Sequence, residues 1–227
     1  TMKSLPLFGF IFISALTTFS SAKAQQQGNP DSLFSQGVGF MNDAGDWSAK
    51  GNTLRANEYY QKAIDKFSVA IQINDKLQGL TAAMAHCYFE TKQYKASVYW
   101  YQEALAQDSS LAKALAELGL SYIYLGDADT AVHYIRMAVL HDGNEMFVKG
   151  LSAKLVEIAE GIQGKANILS KKDLEPGNDL YRIAMKVLIE AFELDPYRNE
   201  VAKNISDLGF RLNDYDIASK YLQYSVR

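Results

Sequence analysis

One period constrains this chain more than any other feature: similar residues recur every 34 positions through its central part. The recurring columns are Phe67, Tyr101 and Ile135; Ala70, Ala104 and Ala138; Asn74, Asp108 and Asp142; and Ala63, Ser97 and Ala131. Within each column the residues share a size or a polarity. Large and small residues at fixed offsets predict two packed helices per repeat, because small side chains let neighbouring helices approach and large ones fill the space between them.

The residues between these columns also follow a helical pattern. Apolar residues recur at intervals of three and four, and no segment shows the sustained alternation of a half-buried strand. The composition, 48% hydrophobic and 22% charged, is that of an ordinary globular protein. The sequence therefore predicts an all-α fold.

The best-conforming repeat, residues 112–145, carries the pattern of a known family. Its residues that fit the pattern are Leu115, Leu118, Gly119, Tyr122, Gly126, Asp127, Ala131, Ile135 and Ala138. This set resembles the tetratricopeptide repeat (TPR). The resemblance implies a right-handed α-solenoid of about four to five helix pairs that extends over residues 31–227.

The columns also predict where each repeat begins and ends. The predicted repeats are approximately 31–77, 78–111, 112–145, 146–198 and an incomplete 199–227. Ala138 and Ala191 are 53 residues apart, so the fourth repeat has 19 residues more than the others. We expect its first helix at about 146–160 and a loop-rich insertion at 161–178, where Gly, Asn and Lys are frequent.

The first repeat allows two arrangements. Trp47, Gly51 and Leu54 stand in register for a first helix at 44–57. That segment is polar, however, whereas residues 32–41 have the apolar pattern. The alternative, which we favour, pairs a helix at 31–42 with a long helix at about 53–73 across a loop-rich break at 42–52.

The N-terminal residues have the pattern of an export signal. Lys3 precedes an apolar core at 5–16, and Ala22-Lys23-Ala24 offers a small-x-small cleavage site. The core is too short to span a bilayer stably. We expect residues 1–24 to be a signal peptide, residues 25–30 to be a polar lead, and the protein to be periplasmic or secreted without a transmembrane anchor. The single cysteine, Cys87, excludes an internal disulfide and fits a small core residue.

Two glycines raise the question of a phosphate-binding loop. Gly119 and Gly126 lie seven residues apart without a preceding strand or an intervening lysine, which such loops require. We interpret Gly119 as a helix-crossing residue and Gly126 as the corner of a helical hairpin, where glycine can take positive φ.

Other residues give no catalytic, cofactor or metal site. His133 and His141 are eight residues apart, too far to act as neighbouring ligands on one helix. The net charge of −3 argues against a general nucleic-acid binder. The sequence therefore predicts a non-catalytic protein.

The family resemblance implies that a binding surface is formed by the first helix of each repeat. The positions that match its concave wall, and that we predict to contact a protein or peptide partner, are His86, Phe89, Glu90, Lys113, Leu120, Ile123, Tyr124, Phe147 and Lys154. They combine aromatic and apolar side chains with a few charges, which suits an amphipathic helix or an extended peptide. Two alternatives stay open: the insertion at 161–178 fills the groove, or the protein is an accessory subunit or small-ligand carrier that uses the same groove.

One TPR subclass binds C-terminal carboxylates through lysine, asparagine and arginine. At the corresponding positions only Asn52 and Lys113 fit, and Glu117 would repel a carboxylate, so that activity is rejected. In the incomplete last repeat, Ile217, Leu222 and Val226 are expected to be partly uncovered. Self-association through this C-terminal helix is therefore a second hypothesis.

Overall fold

Helices make up most of residues 28–226, the part of the chain that the computed structural model describes. The helices are α1 (Pro30–Ala49), α2 (Thr53–Ile73), α3 (Leu80–Glu90), α4 (Tyr94–Gln107), α5 (Ala112–Tyr124), α6 (Ala128–His141), α7 (Glu145–Leu169), α8 (Leu174–Leu194), α9 (Asn199–Arg211) and α10 (Tyr215–Ser225). Turns of three to six residues join them, and no strand occurs within the described range. The all-α prediction is confirmed, while the predicted signal peptide lies outside the described residues.

Capping side chains fix where many of these helices begin. The side-chain oxygens of Asn29, Asn52, Asp127, Asn144, Asp173 and Asp214 each accept a backbone N–H of the first helical turn. Each of these bonds satisfies a donor that has no partner inside the helix. At α1 the cap is Asn29 and Pro30 follows at the first helical position, where its missing N–H costs nothing.

The turns that follow α3, α5 and α9 share one backbone conformation. Lys92, Gly126 and Asn213 have φ of 61°, 89° and 60°. A residue in the left-handed region of φ/ψ space lets the chain reverse its direction within a three-residue turn. The interpretation of Gly126 as the corner of a helical hairpin is therefore confirmed.

The described chain forms two compact units, the first of which comprises residues 28–91. In it α1 packs along α2, and α3 packs against α2. Phe67 is fully buried and its ring lies 5.7 Å from that of Phe34. Gly37 makes room for it, since a Cβ there would lie 2.3 Å from the Phe67 ring. Cys87 is buried in this unit, as predicted for a small core residue.

The second unit comprises residues 92–226. It contains the helix pairs α5–α6, α7–α8 and α9–α10, with α4 against α5 and α8 against both α6 and α9. Its largest fully buried side chains include Tyr101, Leu118, Ile135, Leu155, Leu188 and Ile205. The columns predicted to hold small residues are buried at Ser97, Ala104, Ala131 and Ala138, as expected of residues at helix crossings.

The additional length of the fourth repeat is helical, and its prediction as a loop-rich insertion at 161–178 is wrong. Helix α7 has 25 residues where α5 has 13, and α8 has 21 where α6 has 14. Longer helices thus account for all 19 additional residues, and only 170–173 form a turn. Ile162 and Ala166 are buried, which continues the apolar stripe of α7 through the segment.

The first repeat follows the favoured arrangement in part. Helix α2 begins at Thr53, which excludes a first helix at 44–57 that would cross the turn at 50–52. The predicted loop at 42–52 is wrong over its first eight residues, because α1 continues to Ala49 and buries Ala44 on the way. Among the helices of residues 28–226, none is long and apolar enough to cross a membrane.

Candidate binding cleft between helices α5 and α7

A cleft of about 490 Å³ lies between the first turns of α5 and the first turns of α7. Its lining residues are Lys113, Ala116 and Glu117 from α5, Asp142 from the turn after α6, and Met146, Phe147, Gly150 and Leu151 from α7. The volume falls in the range that takes several side chains of a ligand. Five of the eight lining residues are apolar or glycine, so the cleft can bury apolar groups.

Local hydrogen bonds hold the α7 side of the cleft in place. The carboxylate of Asp142 accepts the backbone N–H of Asn144 at 3.1 Å, and the Asn144 side chain accepts that of Met146 at 2.9 Å. Further along α7, the Ser152 hydroxyl donates to the Ala191 carbonyl of α8 at 2.8 Å. The start of α7 therefore has a defined position, which supports a preformed cleft rather than one created by a flexible loop.

The cleft has a buried apolar floor and an exposed rim. Ala116 and Leu151 form the floor and are both buried, and Phe147 is half-buried beside them. Met146 on the rim exposes 82% of its surface. Since the floor is apolar and the rim is open, a ligand side chain that enters can lay its apolar part on the floor while its other side stays in contact with water.

The charges at the cleft are largely paired. Lys113 lies 3.8 Å from Glu117, one turn along α5, and the Tyr101 hydroxyl donates to the Glu117 carboxylate. Next to the rim, the hydrogen bond from the Lys149 ammonium at 2.6 Å lowers the pKa of the Glu145 carboxyl. Within each of these two pairs, the positive and the negative charge cancel.

The structure brings two of the predicted binding residues, Lys113 and Phe147, into this cleft. Tyr124 lies at the other end of α5, where its ring stacks on that of Tyr94 with centroids 4.3 Å apart. Lys154 pairs with Glu157 on α7 at 3.0 Å. These two residues do not line the cleft.

Three predicted binding residues require correction because they are buried. Phe89, Leu120 and Ile123 each expose less than a tenth of their surface, so they serve as core side chains. His86 and Glu90 lie on α3 in the first unit, where the His86 ring meets that of Tyr60 edge-on at 6.3 Å. Neither belongs to the α5–α7 cleft.

Sequence reasoning missed several lining residues. Met146 lies next to the predicted Phe147 and Leu151 lies one turn further along α7, while Asp142 was recognised only as a member of a repeat column. Glu117 was recognised only as a residue that would repel a carboxylate. No residue of the 161–178 segment lines the cleft, so this segment does not fill it. Within residues 28–226, no group of three or more His, Cys, Asp or Glu residues could hold a metal ion.

The last helix pair carries exposed apolar side chains as well. Leu222 and Val226 are exposed and Ile217 is half-buried, and Phe210 and Tyr215 are exposed near the preceding turn. The ring of Phe192 on α8 packs against those of Tyr221 and Tyr224 on α10. The exposure expected for Leu222 and Val226 is therefore observed.

Several solved structures are similar to this chain at low sequence identity. The crystal structure of the MamA protein is similar over 84% of this chain and 90% of its own, with 12% identity and a TM-score of 0.50. PilF of Pseudomonas aeruginosa is similar over 90% of this chain and 77% of its own, with 18% identity and a TM-score of 0.42. YrrB, described as a TPR protein with an unusual peptide-binding site, is similar over 88% and 92%, with 15% identity and a TM-score of 0.45.

No protein-family model matches the sequence. At these low identities the structural similarity concerns the fold alone. The 34-residue period, the helix pairs that realise it and the match to MamA together show an α-solenoid fold of the TPR type.

Proposed function

We propose that this protein is a non-catalytic interaction scaffold that binds a segment of a partner protein in the α5–α7 cleft. The observation that carries the proposal is the arrangement of Met146 and Phe147, an exposed and a half-buried large side chain, above the buried floor of the cleft. Exposed large apolar side chains beside a preformed pocket are typical of interaction sites.

The cleft suits a peptide segment better than a small molecule. It is open on one side, and its walls come from two helices that lie in consecutive repeats. An amphipathic helix or an extended peptide can place one or two apolar anchors in such a cleft while the remainder stays in solvent.

Blocking the cleft tests this proposal. Gly150 lines it, and a Cβ at this position would meet nothing within 4 Å, so Gly150→Trp should fill the cleft without disturbing α7. Gly164→Trp is the matched control: it is also an exposed glycine of α7 with free space around it, but it lies outside the cleft.

The assay is selection of binding peptides from a phage-displayed random library, followed by fluorescence anisotropy with the selected peptides. We expect peptides that bind the unaltered protein and Gly164→Trp but bind Gly150→Trp at least tenfold more weakly. Selected peptides that bind both variants equally, or an absence of selected peptides, would contradict the proposal.

The proposed location is the periplasm or the extracellular space, on the basis of the signal-like residues 1–24. Expression of the whole sequence in a bacterial host should yield a protein that begins at Gln25 in the periplasmic or culture fraction. An uncleaved protein confined to the cytoplasm would contradict export.

Self-association is proposed for the end of the second unit, where Leu222 and Val226 are exposed on α10. Light scattering on a concentration series should give a mass that rises with concentration. Leu222→Ser should abolish this rise, whereas Leu140→Ser, an equally polar change at an exposed position of α6, should not. A monomer at all concentrations would contradict self-association.

A further inference from the structure

The charge balance of the α5–α7 cleft indicates the chemistry of its partner. Three of its lining residues are charged: Lys113, Glu117 and Asp142. Lys113 and Glu117 form an ion pair, so the lining residues carry one net negative charge, that of Asp142. The pair of Glu145 and Lys149 beside the rim adds none.

From this balance we propose that the cleft binds a segment in which a lysine or arginine lies next to one or two large apolar side chains. The inference rests on the proposed function, since it concerns the same cleft. The apolar anchors would lie on Ala116, Phe147 and Leu151, and the cation would lie at Asp142.

The position of Asp142 suits this role. One of its carboxylate oxygens, Oδ1, accepts the N–H of Asn144, which holds the side chain in the turn before α7. No hydrogen bond among the described residues uses its other oxygen, Oδ2. Asp142 is half-buried beside an apolar surface, and an ion pair at such a site is screened less than one in open solvent.

A segment with an acidic residue at the same place would be disfavoured. Its carboxylate would be repelled by the carboxylates of Asp142 and Glu117 on the cleft wall. The one cation of the lining, Lys113, is already near Glu117 and exposes 79% of its side chain, so its attraction is weakened by pairing and by solvent. The net charge of −3 over the whole chain also steers basic segments towards the protein and acidic ones away from it.

Three matched peptides test the inference. They are fluorescein-labelled heptapeptides with the same central Leu-Phe-Leu core and with two lysines, two glutamines or two glutamates on each side of it. We expect the lysine peptide to bind most tightly, the glutamine peptide next and the glutamate peptide most weakly. The affinity of the lysine peptide should fall as NaCl is raised from 20 to 300 mM, because salt screens the ion pair.

Asp142→Asn removes the charge but keeps a side-chain oxygen for the Asn144 N–H. It should weaken binding of the lysine peptide about fivefold, the effect of a partly exposed ion pair, and leave the affinity of the glutamine peptide unchanged. Asp179→Asn is the matched control, since Asp179 is an exposed acid of α8 outside the cleft. This control should change the affinity of neither peptide.

The outcomes separate the two proposals. If the glutamate peptide binds as tightly as the lysine peptide, or if Asp142→Asn leaves the lysine peptide unaffected, the inferred chemistry is wrong. The proposed function would survive in that case, provided that Gly150→Trp abolishes binding. If none of the three peptides binds, or if Gly150→Trp binds them all as the unaltered protein does, both proposals fail.

Discussion

Gly119 offers a sharp test of the interpretation that small residues mark helix crossings. A Cβ at this position would lie 2.8 Å from Cγ1 of Ile135, 2.9 Å from the Ala131 carbonyl oxygen and 3.3 Å from the Ile135 nitrogen. Two of these atoms belong to the backbone of α6, and Ile135 itself is fully buried. Gly119→Ala therefore forces α5 and α6 apart, because no flexible side chain can yield.

The magnitude follows from two opposing contributions. Replacing glycine by alanine inside a helix stabilises it by about 1 kcal/mol. Overpacking a well-filled core costs about 1–3 kcal/mol, and a clash with backbone belongs in the upper part of that range. The net expectation for Gly119→Ala is a loss of about 1–2 kcal/mol of unfolding free energy, or roughly 3–6 °C in Tm for a chain of this size.

Gly161→Ala is the matched control, since it lies within α7 and a Cβ there would meet nothing within 4 Å. Its free energy of unfolding should rise by up to about 1 kcal/mol. Urea unfolding followed by circular dichroism measures both variants. If Gly119→Ala is as stable as Gly161→Ala, the crossing interpretation is wrong.

Three further stability predictions use the same measurement. The side-chain nitrogen of Gln163 is buried and has no hydrogen-bond partner among the described residues, so Gln163→Met should raise the unfolding free energy by about 1 kcal/mol; a loss would show that the amide has a partner. Arg136 of α6 binds the carboxylate of Glu190, which is 2% exposed on α8, at 2.8 Å. Arg136→Met should therefore lower the free energy of unfolding by about 2 kcal/mol, and the double change Arg136→Met with Glu190→Met should restore most of that loss; no restoration would contradict the reasoning. Asp127 caps α6, and hydrogen bonds from the hydroxyl and the N–H of Thr130 lower its pKa below the ordinary 3.8, so the part of the capping stabilisation that depends on the negative charge is complete above that pH and is lost as the pH falls through the lowered value. Asp127→Ala should cost about 1 kcal/mol at pH 7 with a difference that shrinks in acid, whereas Asp127→Asn should keep most of the cap; an equal cost at both pH values would contradict this.

The sequence predicted the repeated helix pairs because their determinants are local and recur. Gly126 is an example: the hairpin corner needs a left-handed residue, and glycine supplies one. The equivalent positions in other repeats show that such a turn cannot always be predicted from residue type. Lys92 and Asn213 occupy equivalent corners with positive φ, although lysine gives no such signal.

The segment 161–178 was predicted as loop-rich because Gly, Asn and Lys are frequent in it, and it also contains Pro176. The structure shows why they do not break the helices. Gly161 and Gly164 stand on the solvent side of α7, while Ile162 and Ala166 continue its buried stripe. Pro176 lies in the first turn of α8, where its missing N–H has no partner to lose. Burial of one helix face outweighed the weak propensities of single residues.

The candidate site was harder to predict, because a sequence column identifies a helix face but does not say whether that face is covered. Lys113, Leu120 and Ile123 were assigned to the same wall of α5, yet Leu120 and Ile123 are buried, and only Lys113 of the three lines an open cleft. Charge is the signal that distinguishes the two ends of the helix. Lys113 and Glu117 interrupt the apolar pattern in the first half of α5, and a face fully covered by the chain itself rarely takes such residues. An interrupted apolar face therefore predicts the open end of a groove better than a continuous one does.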